Sequence, residues 1–224
     1  MKQLFKQNAV FITLSLILFV ALGLAIVSIP KGELHLLLCD HHTPARDIFY
    51  RYYTRIAEYM PYLICVLILF FGRLGNAAMS AAAVAGAELT TQTLKHIFNA
   101  PRPVTWFAEH MPDVQLPLVE GVRMNHWYSF PSGHTTTFFA LFLVLSILAS
   151  KRLMPTKRVA LQVALFLLAA TGGYSRIYLC QHFAADVMAG IGVGVSISFV
   201  IAMLFARYEK RRWYNYRILK NKRV

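Results

Sequence analysis

Six stretches of the chain are dominated by apolar side chains: 9–29, 59–72, 76–98, 132–149, 159–176 and 184–206. Crossing the hydrocarbon core of a bilayer takes about 20 mostly apolar residues on a helix. The pattern therefore predicts an all-α polytopic membrane protein, one integral domain over 1–224 with six transmembrane helices. The first stretch has 21 residues, more than the apolar region of a signal peptide, and no small-residue cleavage pattern follows it. It is expected to stay in the membrane as a helix. The third is rich in small side chains around Ala81, Gly86 and Ala87, which let neighbouring backbones approach closely. Between the first two stretches, 47–59 mixes aromatics with arginine and reads as a helix lying at the membrane surface. Loop 104–130 carries Trp106, Trp127 and Tyr128, side chains that favour headgroup depth; it is expected to shape the entrance for a lipid head.

Composition agrees with the pattern. Apolar residues make up 57% of the chain and charged residues only 15%. A soluble domain of this size has too much surface to hide so much apolar side chain. The net charge of +13 changes the picture through its distribution. Eight basic residues fall in 207–224, directly after the last apolar stretch, as in a cytoplasmic juxtamembrane tail facing anionic headgroups. No nucleic-acid-reading motif accompanies the charge, so nucleic acid is not an expected partner. Counted over alternate loops, fifteen Lys and Arg lie on the side of both termini and eight on the other. Both termini are thus expected in the cytoplasm, with segments 30–58 and 99–131 and the link near residue 180 outside, in the periplasm if the membrane is a bacterial inner membrane.

The three cysteines, Cys39, Cys65 and Cys180, show no metal-like spacing. Cys39 and Cys180 fall on the same side of the membrane, where a disulfide would require a geometry that sequence does not supply. His35, Cys39, Asp40, His41 and His42 are ligand-type residues, but they match no standard zinc pattern. They read as a solvated outer loop, and no metal or other cofactor is expected.

Three outward-facing patches hold the candidate chemistry. The first runs from Lys95 to Arg102 and Pro103, the second is Pro131-Ser132-Gly133-His134, and the third joins Ser175-Arg176 to His182 and Asp186. Lys95, Arg102 and Arg176 can neutralise a phosphate dianion, arginine with a planar fork that meets two oxygens at once. Ser132 and Gly133 open a helix after a proline, where free backbone N–H groups suit a phosphate oxygen. His182 and Asp186 are four apart and share a face on a helix. The carboxylate can take the Nδ1 proton and leave Nε2 as a nucleophile, and His134 remains as proton donor to a leaving alkoxide. Each feature alone has an ordinary structural explanation: a cap, a snorkelling cation, a buried hydrogen bond. Their convergence on one membrane face does not, because ionisable groups near spans are costly. Glu88, seven residues before Lys95, either orients Lys95 through Gln92 or pairs with another helix.

The motifs K-x6-R-P, P-S-G-H and S-R-x5-H-x3-D, complete here as Lys95/Arg102/Pro103, Pro131 to His134 and Ser175/Arg176/His182/Asp186, resemble the three signatures of the type 2 phosphatidic acid phosphatase superfamily. The resemblance implies a metal-independent membrane phosphatase working through a phosphohistidine. His182 would be the nucleophile, Asp186 its orienter and His134 the general acid. Lys95, Arg102, Ser132, Gly133 and Arg176 would hold the phosphoryl oxygens. The substrate would be a phosphorylated membrane lipid, lipid A first, with undecaprenyl diphosphate and phosphatidylglycerol phosphate as alternatives. A phosphotransferase with the same site, and a non-enzymatic scaffold or transporter, are the rival classes. Oligomeric state is not legible.

Overall fold

The computed structural model describes residues 2–151 and 153–219. Ten helices run in chain order: α1 (Lys2–Gln7), α2 (Ala9–Ser28), α3 (Lys31–Cys39), α4 (Pro44–Tyr53), α5 (Ile56–Phe71), α6 (Leu74–Phe98), α7 (Pro103–His110), α8 (Gly133–Ser150), α9 (Pro155–Tyr178) and α10 (Ala184–Ala206). There is no strand among the described residues. The all-α expectation holds. Among the described residues five segments are long and apolar enough to cross a membrane, α4 and α5 together counting as one and α2, α8, α9 and α10 as the others. At 25 residues α6 is long enough but falls short in apolarity, because alanine, glycine and hydroxyl side chains share it with Glu88 and Lys95. The segment 47–59, expected as one surface helix, divides between α4, which ends at Tyr53, and α5, which opens at Ile56, earlier than the apolar pattern alone predicts.

α8 is the axis of the bundle. It packs on α10, α9 and α6, and 67% of its membrane-length window is buried, against 11% for α2. Small residues make this contact close. A Cβ on Gly190 would come within 2.8 Å of the Ser132 carbonyl oxygen, and one on Gly194 within 2.5 Å of that of Thr136. α10 thus lies backbone to backbone along the start of α8, which the small side chains of its sequence permit. Thr91 of α6 donates to Thr136 of α8 at 3.1 Å.

The two ends of the bundle differ. At one end lie Asn8, the end of α8, the start of α9 and the segment after α10. Tyr214 is buried there, its hydroxyl 2.9 Å from Asn76 Oδ1, while Leu74 and Gly75 donate their amides to the Tyr216 and Tyr214 carbonyls. The expected basic tail is therefore docked on the start of α6 as far as Tyr216. Lys220, Lys222 and Arg223 lie outside the described residues. All three chemical patches lie at the other end, so α1 and the described segment after α10 are on the side away from them.

Candidate active site

His182 and Asp186 meet, but not on a helical face. α10 opens at Ala184 with Phe183 as its N-cap, so His182 stands one residue outside the helix. Asp186 occupies the third helical position and its Oδ2 accepts from the Phe183 amide at 2.8 Å. A carboxylate at this position caps the helix start, where free amides and the helix dipole favour negative charge. The same Oδ2 lies 3.4 Å from His182 Nδ1 and accepts from Ser129 Oγ at 2.5 Å. Ser129 Oγ is itself 3.4 Å from His182 Nδ1. With Nδ1 held by this buried pair, Nε2 is the ring atom left for a cavity of about 290 Å³ that His182 lines. Burial, reinforced by the nearby Arg102, Arg176 and Lys95 cations, pushes the His182 imidazole well below its ordinary 6.5. That direction favours the uncharged ring, the form in which an imidazole can act as a nucleophile.

The three cations reach this cavity from three elements. Lys95 comes from the last turn of α6, Arg102 from the N-cap of α7 and Arg176 from the last turn of α9. Arg102 is held by backbone. Its Nε donates to the Trp127 carbonyl at 3.0 Å, its Nη1 donates to Gln181 Oε1 at 2.9 Å, and its amide donates to the His126 carbonyl at 2.8 Å. Loop 104–130 therefore shapes the site by gripping an arginine. Burial lowers the Arg102 pKa, opposed by the charge of Asp186. Arg176 is anchored through Nη1 on Thr54 Oγ1 at 2.7 Å, while its Nε is buried with no partner among the described residues.

Gly133 and His134 line the cavity at the start of α8, and their amides have no preceding turn to accept from them. A Cβ on Gly133 would only touch Thr91 Cγ2 at 3.7 Å and Lys95 Cε at 3.9 Å. Protein packing thus does not demand glycine there. Ser132 departs from expectation. Its side chain is fully buried, and Oγ accepts from Thr135 Oγ1 at 2.9 Å and from the Thr135 amide at 3.4 Å. Its own amide is taken by the Asp186 carbonyl at 3.0 Å. It caps α8 behind the cavity wall and locks that helix start to α10, so its hydroxyl does not reach the space where Lys95 and Arg176 converge.

Three site residues escaped sequence reasoning. Glu58, inside the segment read as a surface helix, places Oε1 3.3 Å from His134 Nε2. Ser129, two residues ahead of the P-S-G-H run, completes the His182–Asp186 pair, and Gln181 holds Arg102. Only Glu58 carried a signal, as a carboxylate beside an apolar stretch. Glu88 faces the cavity and accepts from Gln92 Nε2 at 2.5 Å, which places it in the site and not against another helix. The histidine-rich loop splits. His42 Nδ1 lies 2.8 Å from Asp47 Oδ1, while His35 and Cys39 turn inward.

A second cavity of about 470 Å³ opens beside the first and shares Glu58, Asn125, His134 and Arg176 with it. Arg51, Arg55 and Arg123 line it too, so an arginine-rich vestibule leads to His182.

Residues 76–214 match the PAP2 superfamily. The chain belongs to that superfamily. Within it, the chain is 28% identical over 189 residues to the lipid A 4'-phosphatase of Porphyromonas gingivalis, covering 82% of this chain and 75% of that one. The crystal structure of Aquifex aeolicus LpxE superposes with a TM-score of 0.59 at 26% identity, over 76% of this chain and 93% of that one. The transmembrane PAP2-type phosphatidylglycerolphosphate phosphatase of Bacillus subtilis shares the fold, with a TM-score of 0.56 at 18% identity over 92% of this chain and 99% of that one. The PAP2 match spans all three motifs.

Proposed function

We propose that this PAP2 phosphatase crosses a bacterial inner membrane six times, with α6 as the sixth span and both termini in the cytoplasm, and removes a phosphate from lipid A at the periplasmic face. Its observational basis is the His182 ring, fixed through Nδ1 on Asp186 and Ser129 and presented to a cavity into which Lys95, Arg176 and the first amides of α8 converge. His182 Nε2 attacks phosphorus as the bond to the lipid oxygen breaks. His134 hands its proton to the departing alkoxide. The Asp186 carboxylate stabilises the charge that develops on the ring. Water then attacks the phosphohistidine, with His134 taking its proton, and inorganic phosphate leaves. Charge on the transferring group is met by Lys95, Arg102, Arg176 and the Gly133 and His134 amides, preorganised donors of the kind that dominate such catalysis. Ser132 contributes by holding the start of α8 in place. No step calls on a metal ion.

Lipid A is favoured by the 28% identity to a lipid A 4'-phosphatase over 82% of the chain. The arginine vestibule adds that the headgroup carries anionic charge beyond the scissile phosphate. The deciding experiment is phosphate release by the purified full-length protein from lipid A, undecaprenyl diphosphate and phosphatidylglycerol phosphate, each with and without an acceptor lipid. Lipid A should have the highest kcat/KM, and phosphate should appear in full without acceptor. A higher value for another lipid would reassign the substrate. Phosphate appearing on the acceptor instead of in solution would make the protein a phosphotransferase.

A further inference from the structure

Two residues before His182 in the chain, and outside the lining of the cavity, two thiols meet. Cys39 ends α3 and Cys180 lies in the turn between α9 and α10, far apart in sequence; both are fully buried. Their sulfurs and a ring nitrogen of His35 all lie within 4.8 Å of one another. Cys180 Sγ also lies 3.9 Å from the Pro117 carbonyl oxygen. Cys180 also has a φ of +51°. Glycine takes this left-handed conformation freely, whereas a residue with a Cβ is strained there. A cysteine at such a position needs a reason that its side chain supplies. The position matters, because Cys180 is followed by Gln181, which holds Arg102, and then by His182.

We propose that Cys39 and Cys180 form a disulfide that ties α3 to the turn carrying the nucleophile. The two thiols lose two protons and two electrons as the S–S bond forms. A disulfide-bearing oxidant accepts the electrons by exchange: one cysteine thiolate attacks it to give a mixed disulfide, and the other cysteine displaces the oxidant's reduced thiol. Because both sulfurs are buried in the folded chain, exchange precedes closure of this face. The bond rests on the proposed placement of this end of the bundle in the periplasm, a compartment where disulfides persist. A metal is the competing occupant. A closed structural zinc site takes four ligands, and the cluster supplies three. His35 fills the remaining side with apolar contact, its ring 5.6 Å from that of Phe107 and 5.1 Å from that of Phe183. Burial there presses the His35 imidazole down to about 4.

The test is thiol alkylation of the full-length protein in denaturant, before and after reduction, read by mass spectrometry. Before reduction Cys65 alone should react, and a peptide linking Cys39 to Cys180 should be found. After reduction all three should react. Cys39→Ala should lower the thermal midpoint by ~5–15 °C while leaving kcat at low temperature near wild type. Reductant should reproduce that shift in the wild type and do nothing further to Cys39→Ala. Three reactive thiols before reduction, or a stoichiometric metal ion on the intact protein, would overturn the disulfide. If all three thiols are free, a cysteine-free background carrying Glu109→Cys is treated on whole cells with a membrane-impermeant maleimide. Labelling means the orientation stands and the disulfide fails. Without labelling the orientation is wrong, and the disulfide that rests on it falls with it.

Discussion

Two buried polar clusters sit at opposite ends of this bundle, and they are built on opposite principles. At the end that holds the chain termini, Asn8, Ser146, Ser150 and Gln162 are all buried and all partnered. Ser146 Oγ donates to Asn8 Oδ1 at 2.7 Å, Asn8 Nδ2 donates to the Leu4 carbonyl at 3.0 Å, and Gln162 both accepts from the Phe11 amide at 3.2 Å and donates to Ser150 Oγ at 3.1 Å. No member is charged, so the knot ties α1, α2, α8 and α9 together. At the other end the groups are charged and incompletely paired: Arg176 keeps an unpartnered Nε, and Lys95 donates to no acceptor among the described residues. An unpaired buried donor costs free energy. A fold tolerates several of them around one cavity when a ligand supplies the missing acceptors. Neither polarity nor a single unmet donor marks the candidate site, since Arg158 Nε is also buried without a partner at the start of α9; three cations gathered on one cavity do.

The sharpest way to break this contrast is to remove the proposed nucleophile. His182→Ala should reduce phosphate release from lipid phosphates to background while the protein still extracts from the membrane as a folded species, monitored by size-exclusion chromatography in detergent. Release near the wild-type rate would end the phosphohistidine mechanism. Gly133→Ala probes the unmet amides. Its new methyl fits the protein but intrudes where phosphate must approach, so kcat/KM should fall by about 10²–10³, the range seen when one oxyanion donor is lost. The thermal midpoint should stay within a degree or two of wild type, since substitutions that strain nothing are nearly neutral.

Arg102→Gln addresses the electrostatics. His182 must be neutral to attack, and the nearby cations help hold its pKa below 6.5. Removing one cation favours the protonated imidazole and raises that pKa, so the acid limb of kcat/KM should move to higher pH. An acid limb that stays in place would mean that another group governs it. The smallest effect on activity is expected at the opposite end. Gln162→Leu leaves the Phe11 amide and its neighbours unpaired, at a cost of about 1–3 kcal/mol. The thermal midpoint should drop by several degrees with kcat unchanged, as a purely structural knot requires. A loss of kcat without loss of stability would put the two ends in communication.

The legible part of this protein followed from what residues do along a single helix or at its ends. Length and apolarity determined the membrane helices, because a helix must satisfy its own backbone in lipid whatever its neighbours are. The three motifs picked out residues that come together, since Lys95, Arg102, Gly133, His134, Arg176 and His182 do line one cavity. Tertiary packing decided the rest. Whether the Ser132 hydroxyl faces phosphate or caps α8 depends on how closely α10 approaches, and Gly190 brings it to contact. Glu58 and Ser129 became site residues only when α5 and the segment before α8 folded against His134 and Asp186. Cys39 and Cys180 show the same limit. Sequence put them on one side of the membrane, but sharing a side leaves their separation open; docking of α3 against the turn after α9 brings the sulfurs within reach. Spacing carries information within an element, whereas distances between elements are set by the side chains that fill the space between them.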